Sequence, residues 1–114
     1  MAYDIYLGER ISQIIKSRNV LFTEKKMMGA LIFMVNEKMC IGIHINKKYG
    51  DSLIMAKIGA VAYETEIKKE VCLPMDFSGR PSLNFIYITP DGFDMDEDLE
   101  YWVDKALAFN QSKK

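Results

Sequence analysis

The sequence predicts an α+β fold: a two-layer sandwich whose mostly antiparallel sheet carries helices on one face. Apolar residues recur at helical spacing near both ends of the chain, whereas the middle alternates apolar and polar residues with the period of a strand. A tight turn and short loops separate the predicted strands, which favours antiparallel neighbours. A chain of 114 residues forms one domain, so we assign residues 1–114 to a single unit.

The first helix is predicted over about residues 4–17. Asp4 can cap its N-terminus by accepting hydrogen bonds from backbone N–H groups, and Arg18-Asn19 suits its C-terminal end. Its apolar residues share one face and are Leu7, Ile11, Ile14 and Ile15.

Three strands are predicted next, over residues 28–35, 39–45 and 52–58. The first is apolar on both faces, as a central strand would be, and Asn36-Glu37 can form a two-residue hairpin turn after it. Alternation in the second strand predicts one face with Met39, Ile41, Ile43 and Ile45, and another with Cys40, Gly42 and His44.

The second half begins with a short helix over residues 60–69. Its predicted buried face holds Ala60, Tyr63 and Ile67, and its predicted solvated residues are Glu64, Glu66, Lys68 and Lys69. Residues 71–75 fit a short edge strand because Pro74 cannot donate to a central ladder.

A strand over residues 83–89 and a long helix complete the chain. The strand alternates Leu83, Phe85 and Tyr87 against Asn84, Ile86 and Ile88. The helix begins at Asp94-x-x-Glu97, which resembles a capping box. Its apolar stripe comprises Leu99, Trp102, Val103, Ala106 and Leu107. The predicted order is α-β-β-β-α-β-β-α.

Composition excludes several classes of protein. The net charge is −1, so the strong basic excess of a dedicated nucleic-acid binder is absent and direct nucleic-acid binding is not expected. The longest near-continuous apolar run, residues 27–35, is half a membrane span, and the N-terminus does not resemble a signal peptide. Two distant cysteines predict free thiols and a cytoplasmic location.

Chemical motifs point away from catalysis and metal binding. Six acidic residues crowd positions 91–100, but a calcium loop starting at Asp94 fails because Leu99 replaces its glycine and Lys105 its final glutamate. We interpret these acids as complements to a helix N-terminus. His44 is the only histidine, and with Cys40 it makes neither a zinc site nor a nucleophilic pair. No enzyme activity, cofactor or metal is expected.

One compact segment, Met75-Asp76-Phe77-Ser78-Gly79-Arg80-Pro81, is a candidate for interaction or for a structural turn. Arg80 beside a glycine could bind a carboxylate or phosphate. The favoured interpretation is structural: Arg80 pairs with Asp76 across the turn, and Gly79 adopts a backbone conformation that other residues disfavour. The candidate residues are Asp76, Phe77, Gly79, Arg80 and Pro81.

Three segments together resemble one family. Residues 26–39 are similar to its K-M-F-G-G…N-G-K-M stretch, residues 75–81 to its M-D-F-[ST]-G-R-P turn, and residues 99–109 to its closing L-x-x-W-V-x-x-A-L-x-F helix. The chain therefore resembles the N-terminal domain of the TfoX/Sxy competence regulators. Met28, Ala30 and Glu37 depart from the family pattern, which indicates a divergent, stand-alone member.

The resemblance implies a two-layer α/β sandwich with no catalytic residues. In longer bacterial members it also implies a role in switching on competence genes alongside the cyclic-AMP receptor protein. We therefore expect a non-enzymatic protein-interaction module, with a role in transcriptional regulation. The alternative is a small-ligand or nucleotide-binding domain, with a deep pocket containing His44, Tyr87 or Arg80.

The expected partner is another protein or a second copy of the chain. The predicted helices can cover only one sheet face, and residues 28–35 are apolar on both. Loop 46–51 or the N-terminal segment could cover the second face instead.

Overall fold

The fold is described from a computed structural model covering residues 3–27, 29–46, 51–77 and 80–112, with backbone alone at residues 46, 51, 75–77 and 80–83. The described helices are α1 (Ile5–Ser17), α2 (Ala60–Glu66) and α3 (Asp96–Ser112), and a 3₁₀ turn spans Pro90–Gly92. The described strands are β1 (Thr23–Met27), β2 (Ala30–Val35), β3 (Lys38–Asn46), β4 (Asp51–Lys57), β5 (Cys72–Phe77) and β6 (Arg80–Ile88).

The six strands form one antiparallel sheet in the order β1-β2-β3-β4-β6-β5. All three helices contribute to one apolar cluster with one face of this sheet. The buried members of the cluster on the other face come from strands alone and are Ala30, Ile32, Leu53, Met55 and Tyr87. The predicted α+β sandwich with helices on one face is therefore confirmed.

The helix α1 begins and ends where its sequence predicts. The Asp4 carboxylate accepts hydrogen bonds from the N–H groups of Tyr6 at 2.9 Å and Leu7 at 3.3 Å. At the other end, Asn19 has φ 59° and donates its N–H to the Lys16 carbonyl, which closes the helix. Gly8 lets α1 approach the sheet, because a Cβ there would lie 3.0 Å from Leu31 Cδ2.

Two buried polar side chains fix α3, one to the 3₁₀ turn that precedes it and the other to β2 of the sheet. Trp102 donates its Nε1–H to the Gly92 carbonyl at 3.0 Å, and Asn110 donates its Nδ2–H to the Val35 carbonyl at 2.9 Å. Asn110 Oδ1 also accepts from Asn36 Nδ2 at 2.9 Å. The helix begins at Asp96, two residues after the predicted start, with acidic residues in its first turn as the helix dipole favours.

One strand was missing from the predicted order. The strand β1 precedes β2 and pairs with it along its whole length, and all five of its residues are exposed. Its sequence, Thr-Glu-Lys-Lys-Met, has no apolar alternation, so it lacks the signal by which the other strands are predicted. The observed order is α-β-β-β-β-α-β-β-α.

The predicted alternation in β3 is wrong at its start. The hairpin turn is as predicted, with positive φ at both Asn36 and Glu37, but a bulge follows in the β2–β3 pairing. Phe33 lies opposite Ile41 and Met34 opposite Met39, so the register skips Cys40. As a result Cys40 and Ile41 both join the helix-side cluster, whereas Met39 packs on the opposite face.

Candidate functional site

The two edges of the sheet differ in how readily they can accept another strand. On one edge, β5 contains Pro74, and its pairing with β6 is irregular between Pro74 and Asp76. Proline and bulges are features that block strand addition. The other edge, β1, has neither: its register against β2 is regular from Thr23 to Met27. The β1 edge is therefore the more competent for strand addition.

The side chains of β1 divide between the two faces of the sheet. Glu24 lies opposite Phe33 and Lys26 opposite Leu31, both in the helix-side cluster, so Glu24 and Lys26 are on the helix side. Lys25 lies opposite Ile32, which belongs to the cluster on the other face. The edge thus presents one acidic and one basic residue on the helix side and a single lysine on the other side.

A groove of about 590 Å³ runs between α1 and the β1 edge. It exists because α1 packs over Leu31 and Ile43 of the next two strands, which leaves the helix side of β1 uncovered. Its lining combines both charge signs with small and apolar residues, among them Ile5, Gly8, Glu9, Ser12, Lys16, Glu24 and Lys26. A strand added to β1 would place every second side chain beside this groove.

A second cavity, a cleft of about 650 Å³, lies where β3, β4, β6, α2 and α3 meet. It is lined by Lys38 and Lys57, by Asn84, Asn110 and Ser112, and by an apolar group comprising Met39, Ile58, Ala60, Val61 and Phe109. None of the lining residues is acidic, so the cleft is cationic although the chain has a net charge of −1. Its volume lies within the range of small-molecule sites.

The floor of this cleft depends on Gly59 and Phe109. Gly59 has φ +87°, a conformation that side chains disfavour, and its N–H donates to the Asn84 carbonyl at 3.1 Å. The Phe109 ring packs against the Gly59 backbone, because a Cβ on Gly59 would lie 2.5 Å from Cδ1 and Cε1 of the ring. Glycine is therefore required here for two independent reasons.

A buried carboxylate joins α2 to α3. Glu66 was predicted to be solvated, and this is wrong: only 2% of it is exposed. Tyr101 Oη donates a hydrogen bond to its Oε2, while the Nζ atoms of Lys69 and Lys105 lie 2.5 Å and 3.5 Å from its oxygens. The Lys69 ammonium also lies 5.3 Å from the Trp102 ring centroid. Helical periodicity cannot reveal this cluster, because its members come from α2, from the segment that follows α2, and from α3.

The charges of this cluster favour one another. Burial alone would raise the pKa of Glu66, but hydrogen bonds from Lys69 and Tyr101 and the positive charges of Lys69 and Lys105 outweigh it, so the pKa is lowered. The hydrogen bond to Glu66 raises the pKa of Lys69. Both shifts favour the ionised pair, which indicates a structural connection between helices rather than a group poised for proton transfer.

The cysteines and the histidine considered as reactive residues do not form a common site. Burial raises the pKa of the Cys40 thiol to about 12 and that of Cys72 to about 11, so neither is a thiolate at neutral pH. His44 packs against Tyr87, with ring centroids 5.4 Å apart, on the face opposite Cys40. Neither His44 nor Tyr87 lines either cavity, so the expected pocket around them is not one of those described.

The other sequence candidates lie where the structure describes little. Asp76 pairs with Pro81 and Phe77 with Arg80, and these pairs lie at one end of the β5–β6 ladder. The side chains of these four residues and the whole of Gly79 lie outside the described residues. The Asp76–Arg80 pair and the Gly79 conformation therefore stay predictions.

Metal-binding and membrane-spanning features can be stated for the described ranges only. Within residues 3–27, 29–46, 51–77 and 80–112, no three His, Cys, Asp or Glu residues cluster in a way that could hold a metal ion. The helices of the same ranges are all too short or too polar to cross a bilayer.

Comparisons with known proteins support the fold. The sequence matches no protein-family model and no curated protein. The structure is similar to a crystal structure of a Pseudomonas syringae protein from a structural genomics consortium, with a TM-score of 0.61 and 14% identity. The match covers 87% of this chain and 93% of that chain. At this identity the likeness establishes a shared fold alone.

Proposed function

We propose that this chain is a cytoplasmic, non-enzymatic protein-interaction module that binds an extended segment of a partner along β1. The observation that carries the proposal is the regular, fully exposed β1 edge beside the α1 groove. Strand addition supplies main-chain hydrogen bonds, and a neighbouring groove selects alternate side chains. The resemblance to TfoX regulators adds the expected setting, transcriptional regulation of competence-type genes.

The lysines of β1 bear on which partner is accepted. Charged edge residues, lysine above all, oppose indiscriminate pairing between sheets. Lys25 and Lys26 therefore act against aggregation, and with Glu24 they restrict pairing to a strand that carries compensating charges. An edge protected in this way is compatible with selective rather than general strand addition.

A pair of proline variants tests the proposal. The N–H groups of adjacent strand residues point in opposite directions, so of Lys25→Pro and Lys26→Pro one removes a hydrogen bond to β2 and the other removes only an outward N–H. We expect the variant that loses the hydrogen bond to β2 to unfold at a lower temperature than the unchanged protein. The variant that loses only the outward N–H should keep the unfolding temperature and circular dichroism spectrum of the unchanged protein. In affinity capture from native cells, this variant should no longer retain the partner proteins that the unchanged protein retains.

The partners retained by the stable proline variant decide whether a partner adds a strand at β1. If the stable proline variant retains the same partners at the same yield as the unchanged protein, strand addition at β1 is wrong. The destabilised variant is the matched control, because it shows that proline at this edge is detectable when it breaks an existing hydrogen bond.

The cationic cleft favours a second candidate function, the binding of a small organic anion such as a nucleotide. Lys38 and Lys57 would attract the anionic group, and Phe109 with its apolar neighbours would contact the remainder. Titration with adenosine monophosphate followed by NMR should then move the resonances of Gly59 and Ala60. Lys57→Ala should weaken the shifts at least fivefold, whereas Lys68→Ala, a lysine outside the cleft, should not. Unmoved resonances at millimolar nucleotide would contradict this function.

A further inference from the structure

We propose that the strand added to β1 is the β1 strand of a second copy of this chain, running antiparallel, with Glu24 of each copy opposite Lys26 of the other. The inference rests on the proposed strand addition at β1 and names its partner. It predicts a twofold-symmetric dimer in which two six-stranded sheets join into one continuous sheet.

The spacing of charges in β1 makes the strand self-complementary. Glu24 and Lys26 are two residues apart on the helix side of the sheet. In an antiparallel pair centred on Lys25, position 24 of one strand lies opposite position 26 of the other, and this occurs twice because of the twofold axis. Both directly opposite helix-side pairs then join a carboxylate to an ammonium, which stabilises strand pairing.

These two charges have no competing role among the described residues. The ion pairs of the described ranges include neither Glu24 nor Lys26, and their neighbours across the ladder in β2 are the apolar Phe33 and Leu31. Both side chains are exposed, and their charges make no ion pair with the described residues of the same chain. Pairing with a second copy gives both of them an opposite charge.

The remaining positions of β1 are compatible with the same arrangement. Thr23 of one copy would lie opposite Met27 of the other, which covers part of a methionine that is 37% exposed in the single chain. Both are on the face opposite α1, because their partners in β2 are Met34 and Ala30. This pairing also keeps the helices of both copies on one side of the joined sheet, so that the two α1 grooves adjoin.

One contact opposes the dimer and predicts its behaviour. Lys25 of each copy lies opposite Lys25 of the other at the twofold axis, and like charges in that position are unfavourable. Lys25→Thr removes this repulsion and introduces a residue suited to strands, so it should tighten the dimer at least threefold. The direction of the change in affinity is diagnostic. If Lys25 instead bound an acidic group on an unrelated partner, its loss would weaken association.

A charge-swap experiment by sedimentation velocity tests the pairing. The unchanged protein should sediment as a dimer at concentrations on the order of 10–100 μM, because pairing through one short strand makes a small interface, and small interfaces are weak. Glu24→Lys and Lys26→Glu should each weaken dimerisation at least tenfold, because each places like charges opposite one another twice. An equimolar mixture of the two variants should form a heterodimer, in which every such pair is again opposite in charge.

The controls separate this inference from the function on which it rests. Both variants should keep the unfolding temperature of the unchanged protein within about 2 °C, since surface substitutions change stability little. A strictly monomeric unchanged protein, or a mixture that stays monomeric, overturns the second-copy inference. Dimer loss in Lys25→Glu but not in Lys26→Glu also overturns it, since Glu24 would then face Lys25. The proposal of strand addition at β1 is contradicted by a different result, namely that the stable proline variant retains the same cellular partners as the unchanged protein.

Discussion

Arg18 and Asp104 form a two-bond ion pair, with Nε 2.8 Å from Oδ1 and Nη2 3.0 Å from Oδ2. Arg18 Nη2 also donates to Glu100 at 3.0 Å, so the residue that ends α1 holds two successive turns of α3. Hydrogen bonds to both carboxylates raise the pKa of Arg18 further above its already high value. The ion pairs therefore link the C-terminal end of α1 to α3.

Arg18→Lys should lower the unfolding temperature although the charge is kept. Lysine cannot form the two parallel hydrogen bonds that the planar guanidinium makes with Asp104. Lys16→Arg is the matched control, because Lys16 is exposed on the same helix and should tolerate the change. Equal unfolding temperatures for Arg18→Lys and the unchanged protein, measured by differential scanning calorimetry, would contradict a role for the geometry.

Gly59→Ala should destabilise the protein by more than about 1 kcal/mol. Its φ of +87° disfavours any side chain, and the added Cβ would lie 2.5 Å from the Phe109 ring. Denaturant unfolding measures the change. In a Phe109→Ala background the same substitution should cost less, because only the backbone strain remains. An equal cost in both backgrounds would mean that the ring contact contributes nothing.

Glu66→Gln should destabilise the protein at pH 7 by about 1–3 kcal/mol, because it removes the negative charge that Lys69 and Lys105 contact. The pKa of Glu66 is lowered in the folded state, so its contribution is present above pH 4.5 and is lost as the pH falls through the folded value. The difference in unfolding free energy between the two proteins should therefore shrink from pH 6 to pH 3. A constant difference over that range would contradict the ionised cluster.

His44 should make the protein less stable on mild acidification. Burial lowers its pKa below the ordinary value of 6.5, so the unfolded chain takes up a proton more readily than the folded chain. Stability should be full above pH 6.5 and fall as the pH drops from there towards the lowered value. His44→Phe, which retains an aromatic ring beside Tyr87, should abolish this slope in thermal unfolding between pH 7 and pH 5. A slope that persists in the variant would assign it to other groups.

The sequence predicts those parts of this fold that depend on local signals. Asp4, the Asn36-Glu37 turn and the alternation of Phe85 to Ile88 each act on their immediate neighbours, and the structure confirms all three. The bulge that moves Cys40 to the helix side arises from pairing between strands, which no single strand encodes.

The candidate sites were harder to predict for the same reason. Glu66 contacts Tyr101 and Lys105 of a helix distant in sequence, and the cationic cleft collects residues from five elements. The β1 strand had one usable signal: acidic and basic residues two positions apart, Glu24 and Lys26, which are complementary under antiparallel pairing. Without knowledge that these residues form an edge strand, that spacing has no meaning.

The position of β6 between β4 and β5 has a consequence for how the chain is made. During synthesis the meander β1 to β4 emerges first, and β4 then carries an unpaired edge with Leu53, Ile54 and Met55. That edge becomes paired only when β6 emerges from the ribosome after α2 and β5. At about 5–20 residues per second the delay is on the order of seconds. The nascent chain is most vulnerable to aggregation in this interval, at a strand that the finished protein holds in the middle of its sheet.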